Sequence, residues 1–402
     1  MNLPSKVLHL SHVGPSKIPS GGRILTDANV QLERELGLES HWISIRPEGI
    51  AGERKSRNHL RNLKGNHSSD LPSIYWDHKM SYVLANSMKA QSFLTSWIQA
   101  ERHMIFVLEG PWLWPLLRMV LKSHKHLKYD IVYAAHNVEF DLAYKIGVAN
   151  GSNPKSNELS RALLLSDESD LVERSTAVTY LSHHDGEFFR ELGAKELIRT
   201  YVPSPSLKSR RFSFMDVSKP LLNKDFKWFT FVSGDWAPHV NGVAELLSSM
   251  RRGNENKIGI VVAGGVAAGL ERISVENNLP NLNSRNDVLI LGQISNNVLL
   301  KLAEESTGFV LPIDFGGGMG IKTIEALQSF KPVFGTRSAF RGLEEIDLGR
   351  QVTISENSAE LWSLLQMWKE HEYEINKDLK VFNNRDLIWP SVNYLLTLAK
   401  KV

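Results

Sequence analysis

The 402-residue chain contains no cysteine. That absence excludes disulfides, thiolate nucleophiles, iron–sulfur clusters and cysteine zinc sites, and it fits a reducing compartment. Excess charge of one sign is lacking too. The 47 Lys and Arg against 44 Asp and Glu leave +3 with the 14 His neutral, which makes nucleic acid an unlikely partner. No apolar run approaches the ~18–20 residues that span a bilayer. The longest candidates, 104–108 and 112–121, are ended by Glu109 and broken by Pro115 and Arg118. The first ten residues carry one Lys and place His9 inside their apolar run, a poor signal peptide. The expectation from these absences is a soluble, cytoplasmic protein. What is present is ordinary for a globular chain, 42% hydrophobic and 23% charged, at a length that suggests two or three domains.

Short apolar runs alternate with helical patterns from end to end. Residues 6–11 read as a strand leading into a loop that contains Gly14, Pro15, Pro19, Gly21 and Gly22. A helix follows from a Thr26 cap to Gly37, and 41–45 resumes extended structure. This strand–loop–helix–strand opening belongs to a parallel α/β sheet. The polar, turn-rich segment 48–72 reads as an excursion, and further strands are expected over 105–108, 130–135 and 178–181. Pro203-Ser-Pro-Ser-Leu-Lys-Ser-Arg-Arg-Phe212 holds two prolines and little apolar periodicity, the marks of an interdomain linker. Beyond it the alternation restarts, with strands over 227–232, 258–263, 288–291, 309–311 and 333–336. No short-period repeat occurs, which argues against solenoids and propellers. The fold class expected is α/β: two successive doubly wound, Rossmann-like domains over 1–205 and 206–385, with 386–402 carrying a final helix, 389–401, that packs elsewhere.

Ligands of doubly wound sheets bind beyond the carboxyl ends of the strands, so the residues after each strand are the candidates. After 309–311 comes Pro312-Ile-Asp-Phe-Gly-Gly-Gly-Met-Gly-Ile-Lys-Thr-Ile-Glu-Ala326, with Ile321, Ile324 and Leu327 apolar at spacing three. A helix starting at Met319 or Gly320 would present unpaired amides and a positive dipole end, a seat for phosphate, next to glycines that permit close approach. Lys322 and Glu325 share one helical face; a cation near a diphosphate and a carboxylate near ribose hydroxyls would suit a nucleotide. A flexible turn with a surface ion pair is the plainer alternative, and the position between strand and amphipathic helix favours the phosphate seat. Gly21-Gly22-Arg23 could close on the same ligand or simply turn, as could Ser233 and Gly234 after 227–232; Asn241 reads as the cap of the helix carrying Val243, Leu246 and Leu247. His136 ends a strand, with Asn137 a cap candidate, and Glu109 ends another. His183-His184-Asp185 is rejected as a metal site, because adjacent side chains diverge and no further ligands stand at useful spacing. Residues 112–128 combine aromatics with basic residues. They could lie on a membrane surface, although a helix crossing the sheet with a solvated basic end is preferred.

In this order the segments resemble a family-4 glycosyltransferase of the GT-B fold. The carriers are Ser20-Gly-Gly-Arg23, Ala135-His-Asn-Val-Glu139, Phe231-Val-Ser-Gly234 with Asn241-Gly242, Gly316-Gly-Gly-Met-Gly-Ile-Lys-Thr-Ile-Glu-Ala326, Lys331-Pro-Val333, Gly342-Leu343 and the tail Trp389-Pro-Ser-Val-Asn393. The resemblance implies two Rossmann-like domains facing a cleft, with a last helix crossing back to the N-terminal domain. It implies a nucleotide-diphosphate sugar donor, UDP- or GDP-linked, and no other cofactor or metal. It implies transfer with retention to a glycan, polysaccharide or lipid-linked acceptor, at the inner face of the membrane where the acceptor is a lipid. Carried over by position, Glu325 binds ribose, and Gly318, Met319, Gly320 and Ile321 with Lys322 bind the diphosphate. Gly22, Ser233 and Gly234 complete the donor set, His136 lies near the transferred sugar, and Glu109 and Glu139 are acceptor-side candidates. Two departures stand out: Gly317 occupies the position of a second Glu, and Gly234-Asp-Trp-Ala-Pro238 stands where a diphosphate-binding Arg and Lys are common. The missing basic pair favours the alternative, a non-catalytic partner subunit that binds nucleotide or glycan, and intact His136, Lys322 and Glu325 disfavour it.

Overall fold

A computed structural model describes residues 5–12, 21–45, 73–98, 102–202, 220–250, 254–276, 285–369 and 387–400. The excursion at 48–72, the linker at 203–212 and Ser20 lie outside them. The chain divides into two compact units. Met1–Pro203 with Gly317–Met319 and Arg385–Val402 form the first, and Ser204–Gly316 with Gly320–Asn384 the second.

Parallel strands covered by helices on both faces must be apolar throughout rather than alternating, and the first unit is built on such runs. Its sheet comprises β1 (Ser5–Ser11), β2 (Glu39–Ser44), β3 (His103–Glu109), β4 (Tyr129–Ala134), β5 (Ala177–Tyr180) and β6 (Leu197–Arg199). The strand order is β2-β1-β3-β4-β5-β6 and every pairing is parallel. All residues of β1 and β3 are buried. Helices α1 (Gly21–Glu35), α2 (Ser73–Ala85), α3 (Met88–Thr95), α4 (Trp114–Ser123), α5 (Glu139–Ala149), α6 (Pro154–Arg174) and α7 (His183–Glu191) connect the strands. Trp112, Trp114, Leu116, Leu117 and Val120 belong to the core cluster with Phe106, Tyr133 and Phe189. The aromatics of 112–128 therefore face inward while Lys122, Lys125 and Lys128 stay exposed, so this stretch is the sheet-crossing helix with a solvated basic end and offers no aromatic face to a membrane.

Helix α1 begins at Gly21, not at Thr26. Two glycines are poor helix formers and hide the first turn from the sequence, whereas Thr26 is buried inside the helix. The helix ends as expected, at Glu35, before Gly37 at φ +89°. The last described helix of the chain, Trp389–Lys400, packs in this unit against α1, β1, β3 and β6. Ser391 Oγ donates to Asn29 Oδ1 at 3.3 Å, and the Tyr201 amide donates to the Leu387 carbonyl at 3.2 Å.

The second unit holds β7 (Lys227–Val232), β8 (Ile258–Ala263), β9 (Val288–Leu291), β10 (Gly308–Leu311), β11 (Val333–Thr336) and β12 (Val352–Ser355), all parallel, in the order β12-β11-β10-β7-β8-β9. Around it lie α8 (Ala237–Ser249), α9 (Val266–Glu276), α10 (Asn296–Glu305), α11 (Ile321–Leu327) and α12 (Ser358–Met367); the closing helix Trp389–Lys400 is α13. Helix α8 starts four residues before Asn241 and is capped by Trp236 with Pro238 in its first turn. Asn241 is an exposed residue within the helix and caps nothing. Gly242, by contrast, is needed where it stands: a Cβ there would lie 2.0 Å from the Pro312 carbonyl oxygen. Helix α11 begins at Ile321, with Gly320 as its cap, one residue beyond the expected start.

Candidate functional site

Read from its β9 edge, the second sheet has the order 3-2-1-4-5-6 of dinucleotide-binding folds, and the direction of winding reverses between β7 and β10. The crevice at such a switch point is where ligands bind, and the loops that flank it here follow β7 and β10. The first begins with Ser233, buried, and Gly234, exposed with open space around it. The Ser233 hydroxyl pairs with Nδ1 of His239 in the first turn of α8. The Trp236 ring stands edge-on to this imidazole at 4.8 Å. Burial, aided by the charge of Lys322, pushes His239 down to about 4. It is thus a neutral imidazole near pH 7, and Lys322 at the start of α11 stands near enough for its charge to act on it.

In α11, Lys322 Nζ lies 3.6 Å from Glu325 Oε2, with the lysine side chain 38% exposed and the glutamate side chain 12%. The i,i+3 face expected from the sequence is therefore formed. On the β10–α11 loop, the Arg341 guanidinium donates from Nη1 to the Gly316 carbonyl. Arg341 and Lys322 thus place two cations along the glycine-rich loop. Ser233, Gly234, Gly320, Ile321, Lys322 and Glu325 all belong to this unit. Gly318, at φ +59°, and Met319 group with the first unit, as does Gly22, which lies in the opening turn of α1. Trp236, His239 and Arg341 escaped the sequence reading. A Trp-Ala-Pro-His start to a helix just after a strand end was the available signal for two of them; Arg341 had none. Lys331 serves the fold instead: its Nζ donates to the Glu304 carbonyl at 2.7 Å and to that of Ser306, where a cation suits the carboxyl end of α10.

In the first sheet the winding reverses between β1 and β3, and titratable side chains are strung along that line. His136, just beyond β4, has Nε2 2.9 Å from Glu109 Oε2 at the end of β3. The contact is close without being a well-directed hydrogen bond. The other oxygen of Glu109 hydrogen-bonds His9 Nδ1 at 2.8 Å. His9 Nε2 in turn lies 3.1 and 3.0 Å from the two carboxyl oxygens of Glu33, to which Ser40 Oγ donates at 2.5 Å. Burial alone would raise Glu109, but His136 and His9 outweigh it and hold the carboxyl down at about 2. Burial would likewise lower both histidines. The carboxyls of Glu33 and Glu109 instead lift His9 to about 10, and Glu109 with Glu139 raises His136 above its ordinary value.

Glu109 and Glu139 are both buried. Asn137 is not the cap of α5; that position is Val138, which has no side-chain oxygen to offer, and Asn137 Nδ2 donates to Glu139 Oε1 at 3.0 Å. The cap comes from elsewhere in the chain. Glu168 on α6 accepts the amides of Glu139 and Phe140 at 3.2 and 3.1 Å, and the Tyr133 hydroxyl at 2.5 Å, which fixes the loop that carries His136. His183-His184-Asp185 opens α7: Ser182 Oγ accepts the Asp185 amide and donates to its carboxyl at 2.6 Å, a helix cap. Among the described residues no helix is long and apolar enough to cross a membrane.

The two sheets and their switch points define an α/β chain of the GT-B fold, and solved structures of glycosyltransferases share it. A UDP-forming α,α-trehalose-phosphate synthase from Burkholderia xenovorans, in complex with glucose-6-phosphate, aligns over 99% of this chain and 100% of its own at TM-score 0.65 and 10% identity. Sucrose-phosphate synthase from Thermosynechococcus elongatus aligns over 98% of both chains at TM-score 0.63 and 13% identity. Anabaena HepE in complex with UDP aligns over 98% of this chain and 99% of its own at TM-score 0.57 and 13% identity. At such identity the likeness is one of fold. No protein-family model matches the sequence, and no curated protein matches it.

Proposed function

We propose that the chain is a retaining glycosyltransferase that moves a hexose from a UDP-sugar to a glycan, polysaccharide or lipid-linked acceptor without a metal ion. The observation that carries this reading is the group at the switch point of the second sheet: Ser233 with His239, the glycine-rich loop, and the cations Lys322 and Arg341. Anabaena HepE, which shares the fold, was solved with UDP and with UDP-glucose, and on that basis UDP is preferred to GDP. Glu325 holds the ribose hydroxyls. The Gly320 and Ile321 amides, with Lys322, hold the diphosphate, and Ser233 and Gly234 border it. Arg341 takes the place of the basic pair missing after β7. Charge grows on the departing diphosphate in the transition state, and cations and amides fixed beforehand stabilise it. Gly22, Gly318 and Met319 complete the donor contacts, and His136 serves the transferred sugar. Glu139 and Glu109 are acceptor-side groups in this reading, and as buried side chains they orient neighbours rather than touch the acceptor.

Gly317, where a second carboxylate would steady the sugar, favours a second reading, a nucleotide-binding subunit without turnover. UDP release from UDP-glucose separates the two. Under the proposal the wild type releases UDP, and Glu325→Ala weakens UDP binding by roughly 10- to 100-fold, the worth of hydrogen bonds to a charged group. Binding without release would support the subunit, and unchanged binding in Glu325→Ala would remove the ribose assignment.

A further inference from the structure

Four ionisable side chains from four different elements meet in one line in the first unit. His136 follows β4, Glu109 ends β3, His9 lies in the middle of β1 and Glu33 is on α1. The last three are almost entirely buried, whereas the His136 side chain is 20% exposed. Burying a charge is costly unless it is paired, so a fold that needed only an apolar strand would not keep His9 at the centre of β1. Here each imidazole stands against a carboxyl, and the line ends at the one imidazole that reaches the surface.

We propose that Glu109, held from behind by His9 and Glu33, is the positioning residue for His136: it pins Nε2 and leaves Nδ1–H as the hydrogen-bond donor to an oxygen of the transferred sugar. This rests on the assignment of His136 to the sugar. An imidazole has two nitrogens, and the partner of one decides which proton the other presents. Glu109 Oε2 takes the Nε2 side at 2.9 Å, and its own rotation is stopped by the 2.8 Å bond from Oε1 to His9 Nδ1. His9 is in turn fixed by both oxygens of Glu33, and Glu33 by Ser40. The groups facing His136 are Glu109 from β3 and Glu139 from the start of α5, both acidic, and they raise its pKa above the ordinary value against the effect of burial. The groups facing His9 are Glu33 from α1 and Glu109, so the line alternates in sign and holds its geometry as one network. Glu109 touches no substrate in this arrangement; it acts through His136.

The test follows the histidine rings of the full-length protein by 15N NMR, with the His136 signal assigned by its loss in His136→Asn. In the wild type His136 is expected to titrate above its ordinary value of 6.5. In Glu109→Gln its midpoint should fall below that of the wild type, because burial is then opposed by the charge of Glu139 alone. UDP affinity should stay within about twofold while turnover of UDP-glucose drops roughly 10- to 100-fold, with its high-pH limb displaced to lower pH. Glu109→Asp should recover part of both. If Glu109→Gln does not fold, His9→Asn, which loosens Glu109 from behind, should move the midpoint and the limb in the same direction by less. A wild-type His136 that titrates at 6.5 or below, or a midpoint and pH profile that neither Glu109→Gln nor His9→Asn moves, would overturn the proposal. These ring titrations need no substrate. Loss of UDP binding by the wild type would instead count against the donor reading.

Discussion

His9 illustrates how much a single side chain can do without being visible from its neighbours. In the sequence it is a polar interruption of an apolar strand. In the fold it joins Glu109 to Glu33 and is itself 1% exposed. The consequence is a pH dependence whose sign follows from the two shifts. Glu109 is held at about 2 against an ordinary 4.5, so its contribution to stability is complete above pH 4.5 and is lost as the pH falls towards 2. His9 is held at about 10 against 6.5, so its contribution is complete below pH 6.5 and is lost as the pH rises towards 10. The thermal midpoint should therefore fall on both sides of a plateau. Glu109→Gln should lower the plateau and flatten both limbs, so that mutant and wild-type curves approach each other at low pH. Parallel curves across pH 2–10 would contradict the pairing. His136, Lys322 and Glu325 stand out in the sequence as candidates because they lie at a strand end or at helical spacing. His9, Glu33, His239 and Arg341 do not, because their partners lie far along the chain and only the fold brings them together.

Among the elements, the strands were legible wherever they are buried on both faces, since such strands are near-continuous apolar runs. All five expected in the second half are present, four with the expected end residues and β10 with one more. The two that escaped, β6 and β12, are two of the four edge strands, three and four residues long and mostly half-exposed. The starts of helices α1 and α8 were misread for a related reason: glycines open α1, and α8 is capped by a tryptophan without a side-chain bond. Tertiary packing, rather than local propensity, sets those boundaries. Gly242 makes the point testable. Helix α8 lies so close to the carbonyl of Pro312 that a methyl group would stand 2.0 Å from its oxygen. Although alanine is the better helix former, Gly242→Ala is expected to destabilise the protein by about 1–3 kcal/mol, the usual cost of overpacking. Denaturant unfolding reads the difference directly, and an unchanged or raised midpoint would show that α8 can move away without penalty.

At the scale of the whole molecule, one architecture is used twice with different chemistry at its switch points. The first sheet, ordered β2-β1-β3-β4-β5-β6, gathers histidines and carboxyls; the second, ordered β12-β11-β10-β7-β8-β9, gathers glycines and cations. A cation-rich, glycine-lined loop suits a diphosphate, and in the proposal only His136, the exposed end of the line of imidazoles and carboxyls, meets the sugar. The measurement that tests this account most directly is thermal stabilisation of the intact protein by UDP, GDP, dTDP, ADP and CMP, each with and without an attached sugar. A ligand present at 100 times its dissociation constant adds about 2.7 kcal/mol to the folded state. The account predicts a clear upward shift with UDP and UDP-sugars and little with the others. No shift with any member of the panel would contradict a donor site built on Ser233, Lys322 and Glu325.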